Sequence, residues 1–249
     1  MKISIITAVY NRADTIAEAL DSILAQSHED IELIVIDGAS SDGTSELLAS
    51  RAAEIDVLVS EKDKGIYDAL NKGLSLATGD VVALLHADDL FADNNVLARI
   101  AAEFSGDDPD GVYGDLVYVK KTDTTAIVRY WVAGQMTASS LVQGWMPPHP
   151  CLYLKRAIYQ QYGMFNCAYE IAADYDFMLR VLRSGELKLT YLPFVMVKMR
   201  IGGVSNRSLG NLWKKSREDL RALRENRVGG ILTLARKNFS KLPQFFGKP

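Results

Sequence analysis

The chain has 249 residues, 48% of them apolar and 24% charged, the make-up of an ordinary soluble globular protein with a core of normal size. No run approaches the ~20 apolar residues of a membrane-spanning helix, and two cysteines, Cys151 and Cys167, exclude a disulfide framework and a CxxC metal site. The net charge of −3 is unevenly spread: residues 207–249 carry eleven Lys/Arg against three Asp/Glu, which leaves −11 on the first 206 and predicts an acidic catalytic body with a basic tail.

The N-terminus is apolar but short, and charge follows at once without a signal-peptide cleavage pattern, so a reducing, cytoplasmic setting is expected. "KISIITAVY" (2–10) is a near-continuous apolar run, the pattern of a parallel strand covered on both faces. Residues 13–26 place Ile16, Ala19, Leu20, Ile23 and Leu24 at the 3.6-residue period of an amphipathic helix. "IELIVID" (31–37) is a second buried strand, ending in the polar turn "GASSDGT" and a helix to about residue 54. "DVLVS" (56–60) is a third strand, residues 66–77 a helix, and "DVVALL" (80–85) a fourth strand. Such a series predicts right-handed βαβ units in an open parallel sheet, with the ligand beyond the carboxyl ends of the strands.

The second half is less regular. "GVYGDLVYV" (111–119) and "AIVRYWV" (126–132) read as strands that could pair, and "MPPHPCLYL" (146–154) as a proline-rich loop entering a strand. Residues 156–162 and 174–184 read as helices, 187–200 as late strands, and 207–226 and 228–240 as tail helices.

Four polar clusters fall at the strand ends of the first half: Thr7 to Asn11, Asp37 to Asp42, Glu61 to Asp68, and His86 to Asp89. A sheet aligns its strand ends, so these clusters should line one cleft. Neither GxGxxG nor GxxxxGK[ST] occurs in this half, so a glycine-rich nest is not expected to hold phosphates alone. A hard divalent cation on Asp88 and Asp89 is the alternative, since Mg²⁺ and Mn²⁺ bind through one or two carboxylates plus substrate phosphates. Downstream, "IAADYDFMLR" (171–180) sets Asp174 at a helix start, where a carboxylate can take a proton from a substrate hydroxyl. A metal-held diphosphate leaving group and a carboxylate base are the requirements of glycosyl transfer.

With those residues in place, the sequence resembles the family 2 glycosyltransferases, inverting enzymes of the GT-A fold, over residues 2 to about 206. Seven stretches carry the resemblance in order: "SIITAVYNR" (4–12), "ELIVIDGASSDGT" (32–44), "SEKDKGIYDALNKGLSLATGD" (60–80), "LLHADD" (84–89), "HPCLYLKR" (149–156), "GMFN" (163–166) and "AADYDFMLR" (172–180). The resemblance implies an α/β fold with a mostly parallel nucleotide-binding sheet, an irregular acceptor-side half and C-terminal helices. It implies that Thr7, Ala8, Tyr10, Asn11 and Asp37 hold the nucleoside, and that Asp63, Tyr67, Asp68 and Lys72 line the nucleotide site. Laid on the family's DxD motif, "HADD" puts Asp88 on the metal, Mn²⁺ or Mg²⁺, and sets Asp88 and Ala87, which lies between it and His86, among the residues that bind the nucleotide donor. His86 replaces the first Asp of that motif, which opens three roles for it: ribose contact, metal ligand or neither. Asp174 stands where the family has its general base, without the preceding Glu; His149 and Arg180 match positions near the acceptor and diphosphate.

The reaction implied is inverting transfer from a nucleotide sugar, by family habit a UDP-sugar, to a hydroxyl of a saccharide or lipid-linked oligosaccharide, with no nucleic-acid partner. Plain structural roles compete at several positions. Asp88, Asp89 and Asp174 can act as helix N-caps, Ser40 to Asp42 can cap the next helix, Tyr67 can be a core aromatic, His149 can be held by loop packing, and both cysteines can be small core residues. Three rival functions also remain open: a glycoside hydrolase, a nucleotidyltransferase and a catalytically silent nucleotide-sugar-binding protein. For the tail, residues 207–249, one reading is a helix face packed on the 1–206 catalytic domain. The other is a peripheral contact with the inner membrane face, through Arg236, Lys237 and Lys241 set among Ile, Leu and Phe.

Overall fold

The computed structural model describes residues 1–202 and 209–240. The start of the first tail helix at 207–208 and the expectations placed on Lys241 and on residues 242–246 lie outside the described residues. In chain order the elements are β1 (Ile3–Val9), α1 (Ile16–Leu24), β2 (Ile31–Asp37), α2 (Thr44–Ser50), β3 (Val57–Ser60), α3 (Ile66–Leu76) and β4 (Val81–Leu84). They continue with β5 (Asp89–Phe91), α4 (Val96–Gly106), β6 (Gly111–Val119), β7 (Ile127–Trp131), β8 (Leu152–Lys155), α5 (Arg156–Tyr162), α6 (Ala173–Leu182), β9 (Leu189–Arg200), α7 (Leu209–Glu225) and α8 (Ile231–Phe239). Short 3₁₀ turns cover Ala52–Glu54 and His149–Cys151.

One sheet runs in the order β3-β2-β1-β4-β8-β6-β9-β5, with β7 paired to β6 beside β8. Strands β3, β2, β1 and β4 are mutually parallel, as the βαβ reading predicts. Strand β8 enters antiparallel against both β4 and β6, while β9 runs parallel to β6 along its whole length. The two strands predicted at 111–119 and 126–132 do pair, antiparallel, as β6 and β7.

The alternation of side chains along a strand divides the core into two layers. Ile6, Ala8, Ile34, Ile36, Val82 and Leu84 face α3, α5 and α6. Ile3, Ile5, Val9, Leu33, Val35, Val81, Ala83 and Leu85 face α1 and α4. On the first side α3 comes very close to β1, because a Cβ on Gly73 would overlap the Ile6 side chain. At the opposite end of the sheet from the polar clusters, buried Glu32 accepts hydrogen bonds from Ser4 Oγ (2.5 Å), Thr78 N (2.8 Å), Thr78 Oγ1 (2.5 Å) and Lys2 Nζ (2.9 Å). Burial resists its charge, but those donors outweigh it and hold the carboxyl down at about 2.

Two expectations change. No helix begins near residue 92: Asp89 opens β5, pairs with Met199 of β9 and is buried, and α4 starts after Asn95. The acidic pair therefore caps nothing, and Asp89 instead anchors a sheet edge. Cys151 is buried beside Asp115, as a core residue should be, but Cys167 is exposed.

Candidate active site

The carboxyl end of β1 carries the first cluster. Buried Thr7 has no partner for its hydroxyl among the described residues, and Ala8 is buried beside it. Tyr10 emerges from the sheet and is 58% exposed. Asn11 adopts a left-handed backbone (φ 52°), a conformation that Asn tolerates better than most residues. This turn lets its amide N donate to Ser40 Oγ (2.8 Å) while its Oδ1 accepts from Ser41 N (2.9 Å). The β1 and β2 ends are thereby joined.

Asp37, at the end of β2, is buried and accepts from Ser40 N (3.1 Å), Ser45 Oγ (2.8 Å) and Ser60 Oγ (2.6 Å). Burial pushes its pKa up, but hydrogen bonds from Ser40, Ser60 and Ser45 win and hold it below the usual carboxylate value. Next to it a Cβ on Gly38 would come within 2.5 Å of Asp63 Oδ2 and 3.3 Å of the Tyr10 ring. Tyr10, Gly38 and Asp63 thus form one wall: an aromatic face, a bare backbone and a carboxylate. Asp68 and Lys72 stand one helical turn apart on α3. Lys72 Nζ lies 2.8 Å from Glu61 and 3.6 Å from Asp68, a half-exposed network at the rim.

The centre of the cleft is a chain of four side chains drawn from distant stretches. Asp174 Oδ2 lies 3.2 Å from His149 Nδ1, and Asp174 Oδ1 lies 3.1 Å from the Tyr67 hydroxyl. That hydroxyl is also 2.7 Å from the Ile171 carbonyl oxygen. His149 Nε2 lies 2.8 Å from His86 Nε2. Burial lowers the pKa of His149 against the pull of Asp174, and burial together with His149 lowers that of His86 to about 4, so both rings are neutral near pH 7. The tautomers follow from the partners. Asp174 can only accept, so His149 carries its proton on Nδ1 and accepts at Nε2. His86 must then donate from Nε2, which leaves a bare lone pair on Nδ1; that atom is buried and has no partner among the described residues. Burial and the Asp174 charge raise the pKa of the Tyr67 phenol, so it remains a donor to the carboxylate.

Asp174 does not cap α6. The residue at its start is Ala172, and Glu218 of α7 instead tethers the segment just before the helix, accepting from Glu170 N (3.2 Å), Ile171 N (2.8 Å) and Ala172 N (3.0 Å). Asp174 is therefore free of the helix end and faces the cleft chain. Arg180 lies about 9 Å further along α6 at 1.5 Å per residue. Its guanidinium is taken up by the Tyr162 and Met164 carbonyl oxygens and by Asp176 Oδ2 (3.3 Å), away from Asp174. The structure brings together His86, His149, Asp174 and Tyr67, and it leaves Arg180 outside.

Asp88 is half-buried at the cleft, following Ala87, which is buried. Its carboxylate has a long contact with Arg12 Nε (3.7 Å), and its carbonyl oxygen accepts from Arg200 Nη1 (2.9 Å). Arg200 is itself buried and paired with Glu18 (2.5 Å). A cavity of about 360 Å³ opens on this side, bounded by Asn11, Arg12, Asp42, Asp88, Lys121 and Arg200. Sequence reading passed over Arg12, Arg200 and Glu218. Arg12 sits inside a quoted motif and could have been suspected; Arg200 and Glu218 act across more than a hundred and about forty-five residues, respectively, and leave no local signal.

The sequence profile described as Glycosyl transferase family 2 matches residues 4–177. The chain belongs to glycosyltransferase family 2. A "PGL/p-HBAD biosynthesis glycosyltransferase" of Mycobacterium tuberculosis is 32% identical over 208 residues, covering 82% of this chain and 78% of that one. Among solved structures, S. aureus TarS 1-349 in complex with UDP-GlcNAc superposes with a TM-score of 0.70 at 17% identity, over 92% of this chain and 66% of that one. The longer TarS chain is spanned to 43% of its length. The mannosyltransferase PcManGT of Pyrobaculum calidifontis, in complex with GDP-Man and Mn2+, gives 0.65 at 21% identity, over 98% of this chain and 70% of that one. These likenesses establish the GT-A fold for this glycosyltransferase.

The donor set of this glycosyltransferase can be tested against a divalent cation. Among the described residues the Asp88 carboxylate has only its 3.7 Å contact with Arg12, so it retains lone pairs toward the cleft. Among the described residues no group of three or more His, Cys, Asp or Glu forms a self-sufficient metal site. The residues therefore suit an ion that takes one carboxylate from the protein and its other ligands from phosphate and water, the habit of Mg²⁺ and Mn²⁺ at nucleotides.

Proposed function

We propose that this glycosyltransferase moves a sugar from a nucleoside diphosphate, first of all UDP, to a hydroxyl of a saccharide or lipid-linked oligosaccharide, with inversion. The observation that carries the reading is the Asp174 carboxylate, held between the Tyr67 hydroxyl and His149 at the strand ends where the Asp37 and Asp88 clusters also meet. Thr7, Ala8, Tyr10, Asn11 and Asp37 hold the nucleoside, with the Tyr10 ring as the stacking face and Asp63 at its edge. The Asp68–Lys72 network borders the same nucleotide site. His149 is placed beside the acceptor through its bond to Asp174.

In the chemical step Asp174 accepts the proton of the attacking hydroxyl. The acceptor oxygen forms its bond to the anomeric carbon from the face opposite the leaving group. The bond from that carbon to the diphosphate oxygen breaks, and its electron pair departs with the nucleoside diphosphate. Asp88 is the residue that would hold Mn²⁺ or Mg²⁺, whose charge offsets the negative charge building on the departing diphosphate. His149 and Tyr67 fix the carboxylate so that it need not reorganise as it takes the proton.

A thermal-shift series with UDP-, GDP- and dTDP-sugars, with and without Mn²⁺, tests the donor half. One nucleotide should stabilise the protein strongly only with metal. Product analysis tests the chemistry: a released nucleoside diphosphate supports transfer, whereas pyrophosphate would show a nucleotidyltransferase. Activity untouched by EDTA together with hydrolysis of an unactivated glycoside would place the protein with the hydrolases instead.

A further inference from the structure

Helix α8 packs Leu234 against the core but turns most of its large apolar residues outward. Its buried residues are Thr233 and Lys237, whereas Ile231 is 65% exposed, Leu232 74% and Phe239 69%. At 3.6 residues per turn, Ile231, Ala235, Phe239, Leu232 and Arg236 fall on one continuous outward arc of about 140°. Lys237 is drawn inward by Asp219 of α7 (2.8 Å) and lies 3.1 Å from the centre of the Tyr175 ring. Asp219 also takes Lys215 (2.9 Å), so a buried polar cluster beside Leu234 holds α8 and leaves Ile231, Leu232 and Phe239 outward. Lys237, which the sequence suggested as a membrane-facing charge, is thus a structural anchor.

Protein surfaces rarely leave such an arc unpartnered. Its occupant is indicated by charge. The segment from 207 onward carries +8 against −11 on the rest of the chain, and the sequence that continues from α8, "KLPQFFGKP", adds two lysines and two phenylalanines. A basic segment bearing aliphatic and aromatic residues on one helix face matches an anionic bilayer surface, where the apolar arc enters the headgroup boundary and exposed Arg236 at its edge meets the phosphates.

We propose that the outward face of α8, formed by Ile231, Leu232, Ala235 and Phe239, docks on an anionic lipid surface. No described helix is long and apolar enough to cross a membrane, so the contact is peripheral. Its position also bears on the acceptor. Lys237 touches Tyr175, the residue after Asp174, so α8 stands about one helix diameter, ~10 Å, from α6. Taken with the transfer reading, on which this part rests, docking sets the mouth beside Asp174 close to the lipid surface and favours a lipid-borne acceptor over a free sugar.

Flotation of the full chain with phosphatidylglycerol-rich vesicles, against pure phosphatidylcholine vesicles, tests the surface. The protein should float with the first and remain at the bottom with the second, and salt should weaken the binding. An Ile231→Glu, Leu232→Glu double substitution should reduce the bound fraction at least about tenfold, because it places two charges in the apolar arc. Both positions are exposed, so the variant should retain the melting temperature and the nucleotide-induced thermal shift of the parent. That shift is read without lipid, so failure of the donor reading and failure of docking are separate results. Wild-type protein that ignores the anionic vesicles overturns the proposal. So does a concentration-dependent dimer that the same double substitution disperses, since that result assigns the face to a second copy of the chain.

Discussion

Asp174, His149, Tyr67 and His86 form one hydrogen-bonded unit, and substitutions along it should differ in kind. Asp174→Asn keeps the shape and removes the proton acceptor. Turnover should fall by about 10²–10⁴, the usual worth of a general base, while the nucleotide thermal shift is retained. Near-normal turnover would remove Asp174 from the role. Tyr67→Phe deletes a hydroxyl shared by Asp174 and the Ile171 carbonyl oxygen, so it should cost stability of about 1 kcal/mol and a smaller part of kcat, with donor binding unchanged. His86→Asp restores the acidic residue of the family motif but sets a carboxylate against His149 Nε2. The His149 ring should then hold a proton to higher pH, visible in its imidazole NMR shifts, because a neighbouring negative charge favours the imidazolium. Glu32 gives a pH prediction remote from the cleft. Its folded carboxyl titrates near 2 against an ordinary value of 4.5, so its contribution is complete above 4.5 and is lost as pH falls toward 2. Glu32→Gln should lower the melting temperature at neutral pH and flatten the acid limb between those values.

At the scale of elements, the approach of α3 to β1 sets the position of Tyr67. Gly73→Ala brings two opposed effects: about 1 kcal/mol gained from helix propensity, and about 1–3 kcal/mol lost to overpacking against Ile6. The clash should prevail, and Gly73→Ala should cost less melting temperature in an Ile6→Ala background, which lacks the Cγ2 that the new Cβ would meet. The parallel half of the sheet was legible in the sequence because each of its strands is a short apolar run and each helix has a clear period. Thr7 to Asn11 and Asp37 fell at strand ends for the same reason. Asp89 was misread because β5 has three residues and owes its existence to β9 more than a hundred residues later. The tether just before α6 was equally hidden, since its acceptor, Glu218, lies on another helix. Residue types showed that Asp174 could act; the partners that orient it are tertiary.

On the scale of the whole molecule, α7 belongs to the same core as the catalytic sheet. Ala222 and Leu223 are buried in the layer that contains Tyr175 and Phe177, and Asn226 donates to Asp176 (2.8 Å). A chain ended at residue 206 should therefore lose a sharp unfolding transition rather than survive as a separate catalytic unit, and calorimetry would read the difference. The length and placement of β9 have one more result, for the order in which the site comes into being. Asp88 is steadied by Arg200, 112 residues later, and β5 has its neighbour in β9. As the protein leaves the ribosome, the wall of Tyr10, Gly38 and Asp63 at the ends of β1 to β3 can assemble early, but the Asp88 corner must wait until residue 200 has emerged. Contacts of such separation in sequence form slowly. A nascent chain therefore passes through a stage in which one half of the cleft exists and the other does not.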